Sequence, residues 1–247
     1  MDVTIPAARG GIPAYLALPS GGRPEPGVVL IHDVFGMTQD LRNQAEWLAS
    51  EGFLAVAPDL FHGRKKMAGA RAVRRDATAG RGGTFDDVEA VHDWLVHRDE
   101  CTGSVGVVGF CMGGGLALVL ALGRGFAASS DNYGPAPKGF YEESSLVGGC
   151  PIVASFGARD RTLRGAADRL AKALAAAGVA HDVKEYPDAG HGFLNDHEGA
   201  NDPLPALFRV MGRFMRYGYH ETSAEDARRR IVSFFDVHLR GDRAPAR

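Results

Sequence analysis

The chain has 247 residues, 45% of them hydrophobic and 23% charged, with a formal net charge of -2. Such a composition suits an ordinary globular protein with a sizeable core and excludes the disordered and low-complexity classes. The near-balance of charge lacks the strong basic excess that nucleic acid or an anionic membrane surface usually demands, so neither is an expected partner.

At the N-terminus, MDVTIPAARGG has neither the basic start nor the apolar run of a signal peptide. No apolar stretch approaches the ~20 residues of a membrane helix, and a cytoplasmic location is expected. IPAYLALP follows as an alternating strand, and VVLIHD as a short apolar strand of the kind buried on both faces of a parallel sheet. His32 and Asp33 close that strand, and QDLRNQAEWLASEG then reads as a helix. FLAVAPD is the next strand, and the basic run HGRKKMAGARAVRRDA at 62 to 77 reads as a solvated helix face, with an anion-attracting rim as the alternative. TFDDVEAVHDWLVHR is a helix with Thr84 as its N-cap and Val88, Val91 and Leu95 on one face.

VGVVGF is a strand that runs into GFCMGGG and then into an apolar helix, MGGGLALVLAL. PIVASFG is the next strand, TLRGAADRLAKALAAAG a helix closed by Gly178, and HDVKEY a strand. Residues 199 to 222 read as an inserted amphipathic helix. Leu207, Met211, Phe214 and Met215 share one face of it, and Arg209, Arg213 and Arg216 another; it packs on the body, forms a dimer contact or covers the site. A last helix takes Ser223 as N-cap and turns Ala227, Ile231, Phe234 and Phe235 inward. Strand and helix alternate throughout without a linker or repeat. The expectation is therefore one α/β domain over 1–247, a mainly parallel sheet with helices on both faces and ligands beyond the carboxyl ends of its strands.

The chemistry concentrates at Cys111. It falls at a strand-to-helix turn flanked by Gly109 and Gly113, the context in which a nucleophile elbow has meaning, although such elbows usually carry serine. Free amide N–H groups at a helix start stabilise a thiolate, which gives a cysteine a reason to be there. A nucleophile needs a base and the base needs an orienting acid. Asp160 follows the PIVASFG strand, and His191 lies in the Gly-flanked loop AGHGF after HDVKEY. Singly, a surface aspartate or a loop histidine is the plainer reading; the order nucleophile, acid, histidine at strand ends favours a triad. Cys101 and Cys150 lack such a context and read as structural. The remaining histidines show no trusted metal-ligand spacing, GFCMGG is not a dinucleotide fingerprint, and neither metal nor cofactor is expected.

HDVFG at 32–36, APDLF at 57–61, GFCMGG at 109–114 and AGHGF at 189–193 together resemble the dienelactone hydrolase family of the α/β-hydrolase fold, over nearly the whole chain. The resemblance implies Cys111 as nucleophile, His191 as general base and acid, and Asp160 as the group that orients it. It places the oxyanion on the backbone amides of Val34 and Met112. It also makes Asp33 the acidic residue that activates the thiol, a position usually held by glutamate. Aspartate reaches about 1.5 Å less far, on the scale of a hydrogen bond of about 3 Å. Phe35, Arg64, Tyr133, Phe193 and Asn195 are the expected substrate-binding positions, Asn195 standing where dienelactone-cleaving members carry an arginine. The implied substrate is a small ester or lactone, and the chain a monomer or homodimer. An acyltransferase or thioesterase on the same residues, a cyclase or isomerase, and a non-catalytic binding protein on a hydrolase scaffold stay open.

Overall fold

A computed structural model describes residues 1–137, 139–201 and 212–241. Eight strands form one sheet: β1 (Asp2–Ile5), β2 (Ile12–Ala17), β3 (Glu25–Ile31), β4 (Leu54–Pro58), β5 (Cys101–Phe110), β6 (Ala128–Asn132), β7 (Ile152–Gly157) and β8 (His181–Tyr186). Their spatial order is β1-β2-β4-β3-β5-β6-β7-β8. β1 pairs with β2 and β2 with β4 antiparallel, while every pairing from β4 through β3 to β8 is parallel.

The helices are α1 (Gln39–Ser50), α2 (Lys66–Ala79), α3 (Gly83–Val96), α4 (Met112–Leu120), the one-turn α5 (Glu143–Leu146), α6 (Ala166–Ala176) and α7 (Glu221–Arg240). Along β3, Val28 and Leu30 face a core built with Leu41, Leu48, Leu170, Ile231 and Phe235, so α1, α6 and α7 cover that side. Val29 and Ile31 face the other core, where Val73, Val88, Val91 and Leu95 bring in α2 and α3. Each fully buried aliphatic side chain contributes about 1.5–3 kcal/mol, which is why the central strands read as unbroken apolar runs.

Several local expectations needed correction. Thr84 is not the N-cap of α3, which starts at Gly83; its amide and hydroxyl both donate to the buried carboxylate of Asp76, at 3.0 and 2.8 Å. The acceptor that a cap would supply locally is delivered from α2 instead. Ser223 is likewise inside α7, whose N-cap is His220, and the serine hydroxyl lies 2.9 Å from the His220 Nδ1. Strand β6, ASSDN, escaped the sequence reading because Ser129, Ser130, Asp131 and Asn132 are polar, yet all four are fully buried.

The basic run forms α2, with Val73 buried and Arg71, Arg74 and Arg75 exposed, as a solvated helix face requires. Of the expected inserted helix, Leu207, Arg209 and Met211 lie outside the described residues. Residues 212–215 are helical, and Phe214 is 61% exposed, with the Arg161 guanidinium 6.0 Å from its ring centre. No helix among the described residues is long and apolar enough to cross a membrane.

Candidate active site

All the candidate residues gather beyond the carboxyl ends of the parallel strands. Cys111 is the residue between β5 and α4, with φ 53° and ψ -117°, a left-handed backbone that costs a non-glycine residue of order 1–3 kcal/mol. Its own N–H donates to the Asn132 carbonyl at 3.0 Å, and its carbonyl accepts from Gly115 at 3.2 Å, so neighbouring β6 and the new helix hold the strain. Gly109 is required here because a Cβ would stand 2.0 Å from the Gly113 carbonyl oxygen. Without that close approach α4 could not start directly over the strand end.

Asp160 follows β7 and is buried. One carboxylate oxygen accepts from the Thr162 amide at 2.9 Å and hydroxyl at 2.6 Å; the other lies 2.7 Å from the His191 Nδ1. Burial disfavours the carboxylate, but the hydrogen bonds from His191 and Thr162 outweigh it and hold its pKa below the ordinary value. With Nδ1 committed to a carboxylate, the imidazole keeps its Nε2 for chemistry. That Nε2 is buried with no oxygen or nitrogen partner. Burial opposes charge on the ring, yet the neighbouring Cys111 and Asp160 together raise the imidazole pKa to about 10.

The loop carrying His191 is fixed from outside by residues 212–220. The His191 amide donates to the Met215 carbonyl at 3.1 Å, and the His191 carbonyl accepts from Gly218 at 3.1 Å. The Tyr217 ring lies 5.8 Å from that of His191 and 6.2 Å from that of His197, and its hydroxyl is 3.0 Å from the His197 Nε2. This part of the insertion is stitched to the histidine loop, a role that the amphipathic pattern alone could not reveal. Arg213 and Arg216 line a cavity of about 790 Å³ whose wall includes His197 and Tyr217 but not Cys111.

Asp33 is buried beside this cluster. Its Oδ1 accepts from the Phe35 amide at 2.7 Å and its Oδ2 lies 3.6 Å from the His197 Nε2, so its carboxylate is engaged in the loop and with His197. Val34 and Met112 flank the elbow: Ile31 of β3 pairs with Gly109 of β5, and each of the two amides lies three residues beyond this pair. As the first residue of α4, Met112 has an amide without an intrahelical acceptor.

Among the expected substrate-binding positions, Phe35 packs edge-on against His197 and Tyr217. Tyr133 and Phe193 are buried, with the Tyr133 ring 5.2 Å from that of His191, and Asn195 is buried yet lines the cavity of about 790 Å³. Asn195 accepts from the Tyr133 hydroxyl and donates to Asp40 at 2.5 Å, which ties it into the floor of the site. Arg64 is exposed on the turn between β4 and α2. Sequence reasoning missed Asp40, His197 and Tyr217, whose roles arise from contacts distant in the chain.

A model of the dienelactone hydrolase family matches residues 12–239. The chain belongs to the dienelactone hydrolase family. It is 29% identical over 225 residues to the carboxymethylenebutenolidase of Rhodococcus opacus, covering 86% of this chain and 81% of that protein. It is 26% identical to a putative carboxymethylenebutenolidase of Azospirillum brasilense, covering 96% and 99%. Among solved structures, a putative dienelactone hydrolase from Klebsiella pneumoniae superposes with TM-score 0.75 at 24% identity, over 95% of this chain and 97% of that one. A dienelactone hydrolase-like promiscuous phosphotriesterase from metagenomic libraries superposes at 0.77 and 20%, over 97% and 98%. As a dienelactone hydrolase family member with the α/β-hydrolase fold, the chain is a hydrolase of small esters or lactones.

Proposed function

We propose that the chain hydrolyses lactones or activated esters through a Cys111–His191–Asp160 triad and a thioester acyl-enzyme. The observation that carries this reading is the His191 ring, held at Nδ1 by Asp160 with its buried Nε2 left uncommitted, at the same sheet edge as a cysteine on a strained strand-to-helix turn. In this reading the Cys111 thiol passes its proton to the His191 Nε2, which leaves a thiolate to attack and an imidazolium that can hand the proton on.

The thiolate forms a bond to the substrate carbonyl carbon, and the carbonyl electron pair moves to oxygen, to which the N–H groups of Val34 and Met112 donate hydrogen bonds. Collapse breaks the carbon–oxygen bond to the leaving group, which takes the proton from the His191 Nε2. Neutral His191 then draws a proton from water as the water oxygen attacks the thioester. Breaking the carbon–sulfur bond restores thiolate and imidazolium and releases the acid. Because a thiolate is itself a good leaving group, forward collapse needs an enolate, phenolate or thiolate on the other side; simple amides are poor substrates.

Asp33 enters this scheme through the loop it braces at Phe35 and its 3.6 Å approach to the His197 Nε2, while thiolate formation rests on His191. A screen of enol lactones, aryl esters and acyl-thioesters with wild type and Cys111→Ala tests the reading. Turnover of the first two classes that vanishes in the variant supports it, and equal turnover by both proteins removes the nucleophile. Acyl partition to added alcohols separates hydrolysis from transfer.

A further inference from the structure

His32 is fully buried and takes no part in the chemistry above. Its Nε2 accepts the Leu60 amide at 3.2 Å, which fixes the tautomer: the proton sits on Nδ1. That Nδ1–H therefore donates to the carbonyl oxygen of Asp33, 2.7 Å away. The ring is clamped by an edge-on contact with Phe61 at 4.4 Å, and burial lowers its pKa, which keeps it neutral.

The Asp33 carbonyl and the Val34 N–H belong to one peptide unit. In a planar trans peptide the two point in opposite directions, so fixing the oxygen fixes the direction of the N–H. A hydrogen bond accepted by the oxygen also polarises the unit and strengthens the N–H as a donor. On the other side of this peptide, the Phe35 amide is already committed to the Asp33 side chain, leaving the Val34 N–H as the loop amide to be aimed.

We infer that His32 is a positioning residue for the oxyanion hole: its Nδ1–H, braced from Leu60, sets the plane of the Asp33–Val34 peptide and aims the Val34 N–H at the developing oxyanion. This rests on the proposed thiol mechanism and adds to it a group outside the triad. The first acidic strand-end motif then has a divided role, with His32 orienting the peptide and Asp33 bracing the turn.

Three substitutions separate the two nitrogens of the ring. In His32→Asn the amide nitrogen takes the place of Nδ1 and can still donate to the Asp33 carbonyl. His32→Gln reaches instead to the place of Nε2 and can still meet Leu60, and His32→Leu keeps only bulk. Removing one oxyanion donor outright costs about 100- to 1,000-fold in kcat, and a misaimed donor should cost a part of that, about 10- to 100-fold. The expected result is a kcat for aryl ester hydrolysis lowered about 10- to 100-fold in His32→Leu and His32→Gln with KM nearly unchanged, and His32→Asn retaining most of the activity. Alkylation of Cys111 by iodoacetamide, which develops no oxyanion, should proceed at the wild-type rate in all folded variants. Inhibition by an aldehyde, which forms a thiohemiacetal oxyanion, should weaken in step with kcat.

A His32→Gln enzyme as active as His32→Asn, or an alkylation rate that falls together with kcat, would overturn the inference. Cys111→Ala, assayed alongside, keeps the two claims apart. An active Cys111→Ala sinks the thiol mechanism itself, whereas a dead Cys111→Ala beside a fully active His32→Leu sinks only the role of His32.

Discussion

The backbone N–H of His191 donates to the carbonyl oxygen of Met215 at 3.1 Å, so the base of the proposed triad is held by a segment that follows it by more than twenty residues. A Cβ on Gly190 would lie 1.8 Å from the backbone oxygen of Arg216, and a backbone atom cannot yield as a side-chain tip can. Gly190→Ala should therefore push residues 212–218 away from the histidine loop. Overpacking of this kind costs about 1–3 kcal/mol. A lower thermal midpoint and a fall in kcat/KM are expected together. Gly123→Ala, at φ 69° with open space around it, should cost only about 1 kcal/mol of backbone strain and leave kcat/KM unchanged.

Asp160→Asn would keep the size of the side chain but turn an acceptor into an amide beside Nδ1. In a serine triad the matching change costs about 10⁴-fold in kcat through the wrong tautomer, and a loss on the order of 10³-fold or more is expected here. Stopped-flow acylation with an aryl ester would register it. A variant within tenfold of wild type would show that His191 does not depend on this carboxylate.

The charged His191–Asp160 pair makes stability depend on pH at both ends. His191 is raised to about 10 despite its burial, by Cys111 and Asp160, so its contribution is fully present below about 6.5 and is lost as pH climbs through about 10. Asp160 is lowered despite its burial, by His191 and Thr162, so its contribution is present above its unfolded value and is lost as pH falls through the folded one. Thermal unfolding midpoints should fall between neutral pH and pH 10, and His191→Gln should flatten that alkaline decline. A parallel decline in the variant would assign it to other groups.

Asn195 joins Tyr133 to the buried carboxylate of Asp40, whose pKa burial raises. In Asn195→Ala both partners lose a hydrogen bond out of water's reach, at about 1–3 kcal/mol each. The thermal midpoint should drop by several degrees while KM for small aryl esters stays nearly constant. A raised KM with an unchanged midpoint would instead place Asn195 in contact with substrate.

Sequence patterns reached far in this chain, and their limits have physical reasons. β3, β4, β5 and β7 were legible because strands buried on both faces must be apolar throughout, whereas β6 is buried by the same sheet but spends its polar side chains on Ala117, Gly109, Ser130 and Gly134. The strand-end positions of Cys111, Asp160 and His191 were legible because each follows a recognisable strand. The partner of Asp33 was not: His197 comes from far along the chain, and its placement between Asp33 and Tyr217 depends on how the histidine loop and the 212–220 segment fold together. Thr84 and Ser223 misled because their helices take caps from Gly82 and His220.

The central claim is that the acyl group passes through the sulfur of Cys111. Acid quenching during steady-state turnover of an aryl ester, followed by mass spectrometry of the peptide containing Cys111, measures this directly. The account predicts an acyl mass increment on that peptide in wild type, strongly reduced in His191→Gln where the thiol has lost its base, and absent from Cys111→Ala. An unmodified peptide throughout turnover, with Cys111→Ala still cleaving the ester at the wild-type rate, would contradict it.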